Sequence, residues 1–240
     1  MYRVTVTPSV NETYADDLMG KTAIVIDVLR ATSSIITALH HGCSAVIPVE
    51  TVYQAKDVRD EGVLLGGERH GKKIPGFDFG NSPLEYRTPE LRGKTLVITT
   101  TNGTRAIHKS SKASHVIAAA MLNARAAARQ ALSWNKDVVI VCAGTRDKFS
   151  LEDGLCAGFI IREIEELCET PPELDDLGLA MRFAYERAKH RLEEVILSSR
   201  NGRRLAKIGL IEDVMYCCQT NIVDTVPMFI DGVMTSGVHR

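Results

Sequence analysis

Short apolar runs rich in β-branched residues alternate with helix-period segments through the first 145 residues. The run at 22–28 (TAIVIDV) predicts a buried strand. Ile35, Ile36 and Leu39 then mark one face of a helix over 33–41, with Gly42 placed to close it. The same rhythm predicts strands at 45–49, 63–65, 95–99, 116–119 and 138–142. Between them fall a helix running from a Thr51/Gln54 capping box toward Glu61, a helix over 103–109 and an alanine-rich one over 123–134. The longest helical pattern covers 151–168 and stops at Pro171-Pro172. Gly66-Gly67 reads as the end of the 63–65 strand. Residues 71–93, with three prolines and four glycines, read as a long loop, either a lid or a packed Ω-loop.

Strand–helix alternation of this kind implies crossovers and a sheet covered on both faces. The expected fold is a single α/β domain over 1–240: three layers, α/β/α, around a largely parallel or mixed sheet. The stretch 173–218 is charged and helical, with breaks near Asn201-Gly202 and Gly209, and reads as a helical C-terminal extension within that domain. Residues 221–230 read as a last strand or extended segment.

Composition narrows the partners. With 29 Lys and Arg against 30 Asp and Glu, the net charge is −1, and only 5% of residues are aromatic. A protein that binds nucleic acid through bulk positive charge or stacking platforms is therefore not expected. No apolar run approaches the roughly 18 residues of a membrane span, so no membrane association is expected. The six cysteines contain no C-x-x-C pair, and no signal peptide is visible, so a reduced, cytoplasmic protein is expected. The charged helical region offers a face on which a homodimer could form.

In open parallel sheets, ligands bind beyond the carboxyl ends of the strands. Those ends carry Asp27, Arg30, Thr32 and Ser33; Glu68 and Arg69 after two glycines; Thr100, Thr101, Asn102, Gly103, Thr104 and Arg105; and Arg146, followed by Glu152-Asp153 at the next helix start. Four arginines and several acids thus converge on one edge, which suits a small anionic, phosphorylated substrate and a hard divalent cation. Each element also has a plainer reading. TTTNGT could simply cap a helix, Asp27 could pair with Arg30, Glu68 and Arg69 could form a surface pair, and Asp153 could stabilise a helix dipole. His70 is the one histidine near the expected cleft, and RNGRR at 200–204 is either a solvated helix start or one more anion contact. There is no D-x-D-x-T motif, no G-x-S-x-G elbow and no C-x₅-R loop at a strand end. Metal-assisted hydrolysis is favoured over covalent Cys or Ser chemistry.

IDVLRATS (26–33), GGER (66–69), GFDFGNSP (76–83), TTTNGTRA (99–106) and CAGT (142–145) together resemble the 2-phosphosulfolactate phosphatase family, and a weaker likeness continues through DVMYCCQTNIVDTVP (213–227). The resemblance implies Mg²⁺-dependent hydrolysis of 2-phospho-3-sulfolactate to 3-sulfolactate and phosphate, a step of coenzyme M synthesis. It implies Asp27, Glu68 and Asp153 as candidate metal ligands or water activators, and Asp27 as an alternative phosphoryl-accepting nucleophile. Arg30, Arg69, Arg105 and the 100–104 turn would bind phosphate, sulfonate and carboxylate. Two other readings stay open: a phosphatase for another small phosphorylated acid or sugar phosphate, and a non-catalytic binder of such anions.

Overall fold

Every residue of Thr22–Ile26 is buried, so this strand has no solvent face. Its alternation divides the interior in two. Ile24 and Ile26 pack with Val4, Ile117, Ile140 and Phe159 on one side. Ala23 and Val25 pack with Ile35, Leu39, Val46, Leu96 and Ile107 on the other. Two cores on opposite faces of one sheet are what the continuous β-branched runs require.

The computed structural model describes residues 2–58 and 60–236. Its strands are β1 (Arg3–Thr7), β2 (Thr22–Ile26), β3 (Ala45–Val49), β4 (Val63–Arg69), β5 (Lys72–Lys73), β6 (Thr95–Thr99), β7 (His115–Ala119), β8 (Val138–Cys142), β9 (Glu173–Leu174), β10 (Pro227–Ile230) and β11 (Val233–Ser236). They form one sheet in the order β5-β4-β6-β3-β11-β10-β7-β2-β8-β1-β9. The helices are α1 (Ala15–Leu18), α2 (Ala31–His40), α3 (Val52–Asp57), α4 (Gly103–Lys109), α5 (Ala124–Ser133), α6 (Leu151–Leu167), α7 (Asp176–Ala188), α8 (Leu192–Ser198), α9 (Arg200–Lys207) and α10 (Ile211–Cys217). The α/β architecture is therefore as expected, with helices on both faces of a mixed, largely parallel sheet.

The sheet consists of two parallel blocks joined by a hairpin. One block is β4-β6-β3 and the other is β7-β2-β8-β1-β9. The β10–β11 hairpin lies between them and runs antiparallel to both neighbours, pairing Met228 with Ile117 and Met234 with Val46. The extended segment expected at 221–230 thus becomes a strand only at Pro227, and its second arm, β11, carries no signal that the sequence reading detected. β1 was also unforeseen; its RVTVT alternation sits between β8 and β9.

Two further boundaries differ from expectation. The Thr51 capping box forms with both its hydrogen bonds, but the helix stops at Asp57. β4 does not end at the glycine pair; it continues through Gly66 and Gly67 to Arg69. The glycines mark close packing rather than a stop, since a Cβ on Gly67 would lie 2.1 Å from the Thr99 carbonyl oxygen of β6. Residues 71–93 form a packed segment. Phe77, Phe79, Tyr86 and Leu91 are buried, and the Tyr86 hydroxyl donates to Gly80 O at 2.6 Å.

The 173–218 stretch contains β9 and the four helices from α7 to α10. Tyr185, Leu192, Ile196, Leu205, Val214 and Cys217 join the same core as β1, β2, β7 and β8. Among the described residues no helix is long and apolar enough to cross a membrane.

Candidate active site

The carboxyl ends of β2, β4, β6 and β8 meet around a cavity of about 260 Å³, closed on one side by α9. Its wall includes Asp27, Arg30, Glu68, Asn81, Thr100 and Arg204. The volume lies below the roughly 300–1,000 Å³ of drug-sized pockets and suits a compact metabolite. A larger groove of about 680 Å³ lies elsewhere, beside β11 and the 221–226 segment, and contains none of the strand-end acids.

Asp27 follows the last residue of β2 and is 8% exposed. Thr32 fixes its backbone on both sides: the Asp27 N–H donates to Thr32 Oγ1, and the Thr32 hydroxyl donates to Asp27 O, each at 2.9 Å. The carboxylate itself receives only a long contact from the Ala31 N–H, 3.3 Å, among the described residues. Burial raises its pKa to about 7; the Ala31 N–H opposes that, Glu68 and Glu152 add to it, and Arg30 subtracts.

Glu68 is held firmly. Its Oε1 accepts from the Thr101 N–H (3.0 Å) and hydroxyl (2.8 Å), and its Oε2 from the Gly71 N–H (2.5 Å). Arg30 is 4% exposed and forms a buried ion pair with Asp213 of α10, whose other oxygen accepts from the Ser82 hydroxyl at 2.6 Å. The pairing of Asp27 with Arg30 that the sequence left open is thus taken by Asp213.

Asp153 has a different place. It is buried near the start of α6, and both its oxygens are occupied by backbone donors, Val28 N–H at 2.9 Å and Gly144 N–H at 3.0 Å. It ties the segment after β2 to the segment after β8 and does not line the cavity. Burial, then Asp27 and Glu152, push its pKa well up.

The other expected residues divide. Thr100, Thr101, Asn102 and Arg146 line the cavity, as does His70. Thr32, Ser33, Gly103 and Thr104 stand behind the wall. The Ser33 hydroxyl donates to Val28 O, Thr104 exchanges hydrogen bonds with Thr100, and Gly103 opens α4 against Asp27 and Ala31. Arg69 and Arg105 are not brought to the cavity. Arg69 donates to Glu68 O, Glu50 O and Thr99 Oγ1, because neighbouring residues of a strand face opposite sides and Glu68 takes the cavity side. Arg105 turns outward to Asp147 (3.0 Å) and Asn11 (2.6 Å).

The chain matches the 2-phosphosulpholactate phosphatase family over residues 8–232. It is 43% identical to a probable 2-phosphosulfolactate phosphatase of Clostridium novyi over 224 residues, 92% of this chain and 94% of that protein. A protein of the same description from Symbiobacterium thermophilum is 43% identical over 227 residues, 93% and 97% of the two chains. One from Thermotoga maritima is 43% identical over 213 residues, 89% and 91%. This chain belongs to the 2-phosphosulfolactate phosphatase family. It is accordingly a phosphatase, a phosphoric monoester hydrolase.

In this family member several cavity residues were not among the expected site residues. Asn81, 6% exposed, comes from the packed 71–93 segment and has an Oδ1 with no hydrogen-bond partner. Asn201 and Arg204 come from α9, and Asn201 donates to Leu29 O at 2.9 Å. Burial raises the pKa of the buried Glu152, and the side chains of Ser199 and Asn201 oppose that rise. The one available signal was RNGRR at 200–204, a basic run that fits either a solvated helix or an anion contact.

The donor set bears on a metal. Among the described residues no group of three or more His, Cys, Asp or Glu side chains is placed to hold an ion unaided. Mg²⁺ does not need one, because it commonly takes one or two carboxylates and completes its shell with water and phosphate oxygens. Asp27 and Glu68 both face the cavity, and the nearest buried arginine is already paired with Asp213. Buried acids without matching positive charge fit a divalent cation.

Proposed function

We propose that this phosphatase hydrolyses 2-phospho-3-sulfolactate to 3-sulfolactate and inorganic phosphate with Mg²⁺ bound, as in coenzyme M synthesis. The observation that carries the reading is the convergence of Asp27 and Glu68 with Arg30, Arg146 and Arg204 on one small cavity at the strand ends. A substrate with phosphate, sulfonate and carboxylate groups needs several guanidinium donors, and the acids beside them are unfavourable unless a cation intervenes.

Asp27 and Glu68 would hold Mg²⁺, with Glu68 fixed by Thr101 and Gly71. When bound, the ion supplies neutralisation of charge on the phosphoryl oxygens. Arg30, oriented by Asp213, stabilises the same developing charge with its guanidinium. The Asp27 carboxylate, little engaged by protein donors, takes the proton of the water that attacks phosphorus. The P–O bond to the lactate carbon skeleton breaks, the departing oxygen takes a proton from solvent water to become the 3-sulfolactate hydroxyl, and Asp27 returns its own proton to solvent. Asp153 and Thr32 position Asp27 and do not touch the substrate.

Phosphate release measured on 2-phosphosulfolactate, sugar phosphates and phospholactate, with and without Mg²⁺, tests this. The expected result is turnover of phosphosulfolactate that stops in EDTA and returns on adding Mg²⁺. Full activity after exhaustive EDTA dialysis removes the metal from the reading. A higher kcat/KM on sugar phosphates replaces the substrate, and a phosphorylated Asp27 trapped by acid quench replaces the base with a nucleophile.

A further inference from the structure

Arg204 reaches the cavity from α9 and is half-buried there. Its guanidinium lies over Gly71: a Cβ at that position would sit 2.5 Å from Arg204 Nη2. The glycine therefore opens the space that the guanidinium occupies. Arg30, Arg105, Arg125, Arg162 and Arg182 each pair with a carboxylate. Among the described residues Arg204 pairs with none. A partly desolvated guanidinium facing a cavity, with no anion of its own, is arranged to receive one from a ligand.

The chemistry of the proposed substrate says which anion. The phosphoryl group belongs with Asp27, Glu68 and Arg30, where the acids and the buried cation stand together. A carboxylate is a good ligand for a hard cation and can share that charge. A sulfonate is a far weaker base and a poor ligand for Mg²⁺, so its three oxygens are best matched by a guanidinium. Arg204 is the cavity-lining arginine that is both part-buried and unpaired, whereas Arg30 is held by Asp213 and Arg146 is exposed.

We infer that Arg204 is the residue that determines specificity for the sulfonate, binding it in a subsite to which Gly71 gives room. This rests on the reading of the cavity as the phosphosulfolactate site. It also assigns a function to α9: the helical extension delivers the side chain that tells a sulfonated acid from an unsulfonated one.

The test compares 2-phosphosulfolactate with 2-phospholactate in the full-length wild type, Arg204→Met and Arg204→Lys. Binding of 3-sulfolactate and of lactate is followed by calorimetry on the same proteins. Arg204→Met should lower kcat/KM for phosphosulfolactate by about 10- to 100-fold, mainly through KM, as expected for a lost charge-assisted contact. On phospholactate it should change kcat/KM by about twofold or less. Arg204→Lys should recover part of the loss. Equal losses on both substrates, or an unchanged ratio, overturn the assignment while leaving the phosphatase reading intact. If wild type releases no phosphate yet binds 3-sulfolactate in a way Arg204→Met abolishes, the reaction falls and the sulfonate subsite stands. If 3-sulfolactate binding is unaffected by Arg204→Met, the subsite is refuted whatever the turnover shows.

Discussion

Arg30 and Arg105 occupy similar places in the sequence and different places in the molecule. Each lies just beyond an apolar strand and beside a short Ser/Thr run, Arg30 ahead of its run after β2 and Arg105 behind its run after β6. Arg30 is 4% exposed, lines the cavity and is locked to Asp213 on α10. Arg105 pairs with Asp147 at the surface, the two side chains 37% and 55% exposed. The local pattern delivers an arginine to a strand end. What covers that end decides whether the arginine becomes part of a site.

The comparison can be broken most severely at Asp27, beside Arg30. Asp27→Asn keeps the shape and removes the acceptor, and kcat on phosphosulfolactate should fall by about 10²- to 10⁴-fold. Residual phosphate release close to wild type would take Asp27 out of the chemistry.

The next largest effect is on stability. Asp213→Ala leaves Arg30 buried without its partner and should cost about 3–5 kcal/mol in denaturant unfolding. The double change Arg30→Met with Asp213→Leu should recover much of that stability while activity stays lost. Equal stability of the single and double variants would show that the pair has no energetic coupling.

The pH dependence sharpens the contrast further. The folded-state pKa values of Asp27, at about 7, and of Glu152 and Asp153 are raised above their unfolded values. The folded protein therefore holds these protons more tightly than the unfolded chain does. Without metal, the stability this provides is fully present below the unfolded carboxylate range and is lost as pH rises through about 7 and beyond. Thermal unfolding in EDTA should show a falling Tm across that window, less steep in Asp27→Asn, and Mg²⁺ should oppose the fall at pH 8. A Tm that rises with pH there, in EDTA, contradicts the buried-acid account.

Arg105→Ala should do least. An exposed ion pair contributes about 1 kcal/mol or less, and kcat/KM should stay within about threefold of wild type. A loss as large as that of Arg30→Ala would mean that Arg105 swings into the site during turnover.

The same contrast explains which parts of the fold and site were legible. β2, β6 and β8 are short, β-branched and bounded by turn residues, and they emerge at or within two residues of the expected bounds. Asp27 was legible because a carboxylate at the end of a buried strand is costly unless it is engaged. Glu68 was found for a partly mistaken reason. Its strand was expected to stop at the glycines, so nothing placed Arg69 on the opposite face. Since β4 runs on to Arg69, the period of two sends one residue to the cavity and the other behind it. The hairpin β10–β11 was only half legible, since its strands are short and each meets a parallel block through a single paired residue. Asn201 and Arg204 stood only in the ambiguous RNGRR run, and Asn81 and Asp213 only inside stretches of the family resemblance, because each enters the cavity region from a segment distant in sequence from the strand it meets.

Sequence alone determined the layered α/β architecture, the strand ends that carry acids and hydroxyls, and, through five ordered motifs, the family. These depend on periodicity and on the cost of burying a charge, both of which are local. Tertiary structure decided which arginines turn inward, that Asp213 rather than Asp27 pairs with Arg30, and that Asp153 braces two loops instead of facing the cavity. It also brought α9 over the strand ends, so that Arg204 stands above Gly71. The physical reason is that an ion pair or a shared cavity wall depends on separation in space. The chain pattern sets that separation within an element, and only packing sets it between elements.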